Sequence, residues 1–315
     1  MVSRARKRLK QFAFVMDPLE SLDLPWDTSL CLLRELNARG HQNFLFVLSS
    51  LSLEAGQVFG QGNLVKPLGN HHYDLKSISK TKLASFDAVF IRKDPPFDSN
   101  YLSLTYLLEP LVKKTLVIND PRGIRNANEK LSVLSFPKWS PPSLVSSNPD
   151  EILAFQKKIK SDLVIKPLYE KGGKGVFRLK KGQNNLLKKS VAKDNWVIAQ
   201  KFIPSNDGDK RILIWRGKIL GAFSRIPPKG DFRSNLSLGG KFVKCRITQR
   251  EKNLVRSIAP FLLKEGLLFV GIDVRGGYLI EMNVTSPAGL VELDQLYGQK
   301  ATRQLADSFT NSNHN

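Results

Sequence analysis

Four mainly apolar runs in the first 120 residues, at 12–16, 44–48, 86–91 and 116–119, are each too short for a buried helix. They are also too continuous for strands with one wet face. Such runs read as strands covered on both sides, the pattern of a parallel sheet packed between helices. Between the first two, Leu32, Leu33 and Leu36 fall at helical spacing within 28–39, and Gly40 can end that helix. Strand, helix and strand in that order make a βαβ unit. Residues 52–82 are polar and show no period, so the sequence assigns no regular element there. The adjacent pair His71-His72 is expected in a loop.

The pattern changes near residue 126. Strand candidates at 164–166, 176–179, 196–199, 211–215, 219–223, 267–274 and 278–284 surround a helix at 254–264 that Gly266 stops. Tight turns at 216–218 and at Gly276-Gly277 make neighbours antiparallel. Residues 226–241 hold two prolines and three glycines and read as a loop. The expected fold class is therefore α/β followed by α+β. Its parts are a basic leader at 1–11, an α/β domain at 12–125, a mixed domain at 126–307 and a polar tail at 308–315.

Composition limits the function classes. With 41% hydrophobic residues, the chain has the material for cores and is not a disordered protein. No apolar run approaches the ~18 residues of a membrane span. The apolar stretch after the basic start is shorter than the ~7–15 residues of a secretory signal. Cys31 and Cys245 are too few for a disulfide framework and are expected to be packing residues. Together these features point to the cytoplasm. The 49 Lys and Arg against 28 Asp and Glu give a net charge of +21, which suits a polyanion surface or an enzyme of anionic substrates. The lysines at 157–160 and 180–189 read as solvated faces, so nucleic acid is not the expected partner. The phosphate motifs GxxxxGK[ST] and GxGxxG, the hydrolase motifs HExxH and GxSxG, and any zinc spacing are absent.

Three constellations carry chemistry. Glu281 and Asn283 are two apart on one strand and share a face, with Asp273 on the partner strand. Three such oxygen donors suit Mg²⁺, although a solvated sheet face would look the same. A plain two-residue turn at Gly276-Gly277 would set Asp273 opposite Ile280 and turn Glu281 away. Convergence therefore needs an odd-length loop or a bulge. Lys166 ends a buried strand and, with Lys130, can meet phosphate as a point charge beside the amides of Gly172, Gly173 and Gly175. Snorkelling surface lysines are the plainer alternative. The run 207–211, with Arg225 and Arg233 downstream, suits carboxylate or phosphate clamps or ordinary surface ion pairs.

Taken together these runs resemble the ATP-grasp ligases, and specifically the bacterial glutathione synthetases. The runs carrying the resemblance are 15–18, 91–98, 119–130, 165–168, 172–178, 207–211, 225–227, 269–273 and 281–287, in family order. The resemblance implies an N-terminal pre-ATP-grasp domain followed by an ATP-grasp domain. It implies that Lys130, Lys166, Gly172 and Gly173 bind ATP phosphates. Adenine would lie near Gln200, Lys201, Phe202 and Ile203, and the ribose near Asp209. Asp273, Glu281 and Asn283 would hold two Mg²⁺, or Mn²⁺ in their place. Arg92 and Arg233 would meet substrate, and Arg211, Arg225 and Asn235 would surround the reacting carboxylate and phosphate.

The implied reaction phosphorylates the cysteinyl carboxylate of γ-glutamylcysteine, after which glycine displaces phosphate. The resemblance also implies a homo-oligomer. Two segments depart from the family pattern, Tyr169-Glu170-Lys171 in the glycine loop and 288–291, which reads Ala-Gly-Leu-Val. They keep open a ligase of the same fold with a different carboxylate and amine. A non-catalytic basic binding protein is the remaining alternative, and the presence of Lys130, Lys166, Asp273, Glu281 and Asn283 argues against it.

Overall fold

A computed structural model of the chain describes residues 8–310 except 70, 171, 206 and 207. The first seven residues of the basic leader, Lys171 of the glycine loop, Asp207 of the 207–211 run and tail residues 311–315 lie outside the described residues. The first half contains strands β1 (Gln11–Met16), β2 (Gln42–Phe46), β3 (Leu51–Glu54), β4 (Gln57–Gly60), β5 (Asn63–Gly69), β6 (His72–Ser77), β7 (Thr81–Lys82), β8 (Ala88–Arg92) and β9 (Leu116–Ile118). Its helices are α1 (Thr28–Ala38), α2 (Ser99–Leu108) and α3 (Pro121–Asn126). The continuous apolar runs become the parallel centre of a six-stranded sheet ordered β6-β5-β2-β1-β8-β9. Asp27 caps α1 by accepting from the amide of Leu30 at 2.8 Å.

Residues 52–82 correct the sequence reading, because they are ordered strands. β3, β4 and β7 form a small antiparallel sheet, and β5 and β6 extend the main sheet as a hairpin, in which His72, expected in a loop, is the first residue of β6. These strands carry mostly exposed or half-buried side chains, with Val58 and Val65 among their few fully buried ones. A strand that buries so little has no apolar alternation to show.

The second half contains β10 (Ser143–Ser146), β11 (Leu163–Pro167), β12 (Phe177–Leu179) and β13 (Val197–Lys201), with helices α4 (Pro149–Ile159) and α5 (Asn184–Asp194). It continues with β14 (Asp209–Trp215), β15 (Lys218–Ile226), β16 (Lys241–Lys244), β17 (Phe269–Arg275) and β18 (Tyr278–Asn283). Its last helices are α6 (Gln249–Lys264), α7 (Leu290–Tyr297) and α8 (Lys300–Thr310). The strands form a four-stranded sheet, β10-β13-β11-β12, and a five-stranded sheet, β16-β15-β14-β17-β18. A core around Ile152, Leu163, Ile165 and Leu187 belongs to the four-stranded sheet alone. The two larger cores mix residues of both halves, such as Phe14 and Phe90 with Leu213 and Phe269. The five-stranded sheet is thus fused to the first half, and the four-stranded sheet is a separate lobe.

That fusion runs through a few buried polar groups. The Asn119 amide donates to the carbonyls of Phe269 at 2.7 Å and Val284 at 2.8 Å and accepts from the Phe269 amide at 2.8 Å. Thr28 Oγ1 accepts from the amides of Gly289 and Leu290. Gly123 lets α3 approach the end of α6, since a Cβ there would lie 2.0 Å from the carbonyl oxygen of Glu265.

Asn119→Leu keeps the volume and strands three buried backbone groups. Each such group costs on the order of 1–3 kcal/mol. Urea denaturation should show a loss of at least about 2 kcal/mol, and an unchanged midpoint would contradict the role assigned to this amide.

Candidate active site

The described residues form a cavity of about 290 Å³ between the four-stranded and five-stranded sheets. Its floor is a ladder of charges set by strand register. Asp209 lies opposite Arg225, Arg211 opposite Asp273, and Asp273 opposite Glu281. Directly opposed residues share a face, and Asp209 and Arg211 are two apart, so all five project from one side. The Asp273–Glu281 pairing depends on a bulge. Arg275 pairs with Tyr278 across a two-residue turn, yet the register shifts beyond Val274 so that Ile280 is the extra residue. Both turn glycines have positive φ, +55° at Gly276 and +76° at Gly277, as this turn requires.

The ladder is tightly paired. Arg211 donates to both oxygens of Asp273, at 2.6 and 3.1 Å. Arg225 reaches Asp209 at 2.7 Å and Asp273 at 2.9 Å. Gly271 makes room for Arg211, since a Cβ there would sit 3.3 Å from its Cδ. Burial alone would raise the Asp273 carboxyl, but the two guanidinia outweigh it and hold it well below the usual range. Arg225, though buried, is held strongly protonated by Asp209 and Asp273.

Two lysines enter from elsewhere. Lys166 crosses from β11 and donates to the carbonyl of Ile280, the bulged residue, at 3.2 Å. Burial lowers its pKa, against the pull of Glu281. Lys130 donates to the carbonyl of Glu170 at 2.6 Å and lies 3.5 Å from Glu281. Gly172 and Gly173 line the cavity with positive φ. A Cβ on Gly173 would meet Asn235 Oδ1 at 3.0 Å, and Arg233 donates to the carbonyl of Gly173 at 3.4 Å. Gln200, Lys201, Phe202 and Ile203 form one wall, and the Gln200 Nε2 is buried with no hydrogen-bond partner among the described residues.

Among the described residues the structure gathers the candidates around one cavity, leaving out of its lining Gly175 and, more notably, Arg92. That guanidinium is buried beside the cavity, donating to Ser29 Oγ at 2.9 Å and the Pro287 carbonyl at 3.0 Å. It holds the segment carrying Ser286 and Ala288, which do line the cavity. Asp209 is at the cavity but committed to Arg225. The sequence reading missed Glu129, which is buried and accepts from Thr285 Oγ1 at 2.8 Å and the Val284 amide at 3.0 Å. Its only signal was adjacency to Lys130. Cys31 lies apart, half-buried beside Thr302, and burial pushes its thiol up to about 11.

The family description "Prokaryotic glutathione synthetase, N-terminal domain" matches residues 11–125, and "Prokaryotic glutathione synthetase, ATP-grasp domain" matches 129–298. Among relatives, the glutathione synthetase of Synechococcus elongatus is 39% identical over 308 residues, covering 91% of this chain and 94% of that protein. That of Mesorhizobium japonicum is 37% identical over 295 residues, with the same coverage, 91% and 94%. The fold is also similar to D-cycloserine synthetase DcsG, with TM-score 0.65 at 16% identity, covering 95% of this chain and 99% of that one. It is likewise similar to the ATP-grasp ligase PsnB complexed with a phosphomimetic precursor variant, Mg and ADP, with TM-score 0.66 at 16% identity, covering 96% and 98%.

The Asp273 ion pairs give a test through stability. A carboxyl held below its unfolded value near 3.9 stabilises the fold above that pH and loses the contribution as pH falls. Asp273→Asn should cost about 3–5 kcal/mol at pH 7, the scale for breaking a buried pair. The gap should narrow below about pH 4. Denaturation at pH 7 and pH 3 checks this, and an equal gap at both would contradict it.

Proposed function

The chain belongs to the prokaryotic glutathione synthetase family of ATP-dependent ligases, and we propose that it joins γ-glutamylcysteine to glycine. The family match supplies the substrate pair, and the observation that supports ATP with a metal is the cavity wall, where cations and carboxylates occur in nearly equal number. A bare polyanion or a bare dication would leave one sign of buried charge unmatched. A divalent metal bound to a polyphosphate meets both.

In this reading the terminal phosphoryl group of ATP passes to an oxygen of the cysteinyl carboxylate, and ADP leaves. The glycine amine then attacks the carbonyl carbon, phosphate departs with that oxygen, and the amine gives up a proton. No protein nucleophile is needed, so the residues position, neutralise and exclude water. Lys130 and Lys166 bring charge to the phosphates, and the Gly172-Gly173 backbone supplies amides. The wall from Gln200 to Ile203 takes the adenine, and the buried unpartnered Gln200 amide suits a polar ligand there. Arg211 and Arg225 flank the reacting carboxylate with Asn235, and Arg233 faces substrate from the loop.

Asp273, Glu281 and Asn283 carry oxygen donors of the kind hard cations take, and they would hold two Mg²⁺, or Mn²⁺, once Arg211 and Arg225 turn from Asp273 toward the phosphates. Those ions would neutralise the transferring phosphate. Arg92 contributes by fixing Pro287, in the segment that carries Ser286 and Ala288 to the cavity. Arg233 and Asn235 lie against Gly173 and bring two loops together over the cavity, which suits a reaction whose acyl phosphate must be kept from water.

ADP release with γ-glutamylcysteine and each amino acid in turn tests the assignment. Glycine should support release, with glutathione as product. Release with a different amino acid in its place, or with none, would overturn it.

A further inference from the structure

Arg275 ends β17, and only 9% of it is exposed. Its Nε donates to the carbonyl of Ile203 at 2.9 Å, and its Nη1 donates to the carbonyl of Phe232 at 3.1 Å. Ile203 closes the wall that runs out of β13, and Phe232 lies in the loop 226–241. Arg275 and both acceptors border the cavity. One planar group therefore ties together two segments that are distant in sequence and belong to different sides of the site.

Three further contacts converge on the same place. The Phe202 ring lies 6.0 Å from the Phe232 ring in an edge arrangement. The Arg178 guanidinium sits 4.0 Å from the Phe202 centroid and that of Arg275 sits 5.9 Å from it. The turn beyond Arg275 also abuts the wall, since a Cβ on Gly276 would lie 2.7 Å from Ile203 Cγ2. Guanidinium suits this junction because its fork serves two acceptors at fixed geometry. An ammonium is a single point, and an apolar chain would leave both carbonyls unpartnered.

We propose that Arg275 is a positioning residue that latches the 226–241 loop onto the Phe202–Ile203 wall, so that one side chain sets both nucleotide grip and closure of the site. The inference rests on the ligase reading above. Arg275 does not touch the reacting atoms. The latch acts through Phe232 on its neighbours Arg233 and Asn235, which contact the glycine loop at Gly173. Releasing it frees the loop, admits water to the acyl phosphate and loosens the wall that holds adenine.

The test compares the full chain with Arg275→Met, which fills the space without donors, and Arg275→Lys, which keeps the charge and can serve one carbonyl. Three quantities are read: the KM for ATP, the ratio of ADP to amide product, and the rate of tryptic cleavage at Lys229 and Arg233 without substrates. The wild type should form one amide per ADP. Arg275→Met should raise the KM for ATP about tenfold, the effect of losing the one charged hydrogen bond, to the Ile203 carbonyl, that holds the adenine wall. It should also lift the ADP-to-amide ratio above one and speed cleavage of the loop, with Arg275→Lys intermediate.

Variants with wild-type KM, ratio and cleavage rate would overturn the latch, even if their melting temperature drops. If Arg275→Met does not fold, Arg275→Lys decides by the same three readings. A wild type that makes no amide from any tested pair would count against the ligase reading instead. Loop cleavage would still judge the latch.

Discussion

Asp273 is the interaction on which the rest of the site depends. It is a nearly inaccessible carboxylate whose two oxygens are both engaged by arginines, one from the adjacent β14 and one from β15 beyond it. Burying such a cluster is expensive, and well-packed apolar residues would serve stability as well or better. The sheet nonetheless commits register to it. Arg211 must be opposite Asp273, Arg225 opposite Asp209, and a bulge at Ile280 must bring Glu281 to the same face. The bulge has a second effect, because the carbonyl of the extra residue is where the Lys166 ammonium lands. A single departure from regular pairing therefore places a carboxylate and a lysine together.

The first half of the chain holds this floor in place. The segment from Val284 to Leu290, which follows the last floor strand, is gripped by Asn119, Glu129, Arg92 and Thr28. All four come from outside the two sheets that enclose the cavity. Arg92 shows the consequence for reading motifs. Its run at 91–98 resembles a substrate-binding element, yet its guanidinium is spent on Ser29 and on Pro287. The four-stranded lobe keeps its own core, so the cavity lies where a fused body meets a separate unit.

The parallel centre of the first sheet was legible because its strands are covered on both faces and therefore continuously apolar. The hairpin at Gly276-Gly277 was legible from its glycines, and the demand that Asp273 and Glu281 converge already implied a bulge or an odd loop. The bulge is the solution found. The strands of 52–82 were not legible, because strands that bury little on either face show no alternation. Glu129 and Arg275 escaped for a different reason. Their value lies in partners 155 and 72 residues away in sequence, and no local pattern encodes those distances. Sequence singled out Asp209 but does not show that Arg225 pairs with one of its carboxylate oxygens.

The near-equal cations and carboxylates of the cavity wall suit a metal-bound polyphosphate better than either ion alone. Calorimetric titration of the intact protein with ATP, in excess Mg²⁺ and again in excess chelator, tests that claim directly. Mg²⁺ should tighten ATP binding by about tenfold or more, equivalent to about 1.4 kcal/mol. Equal affinity in the two conditions, or tighter binding in chelator, would contradict it.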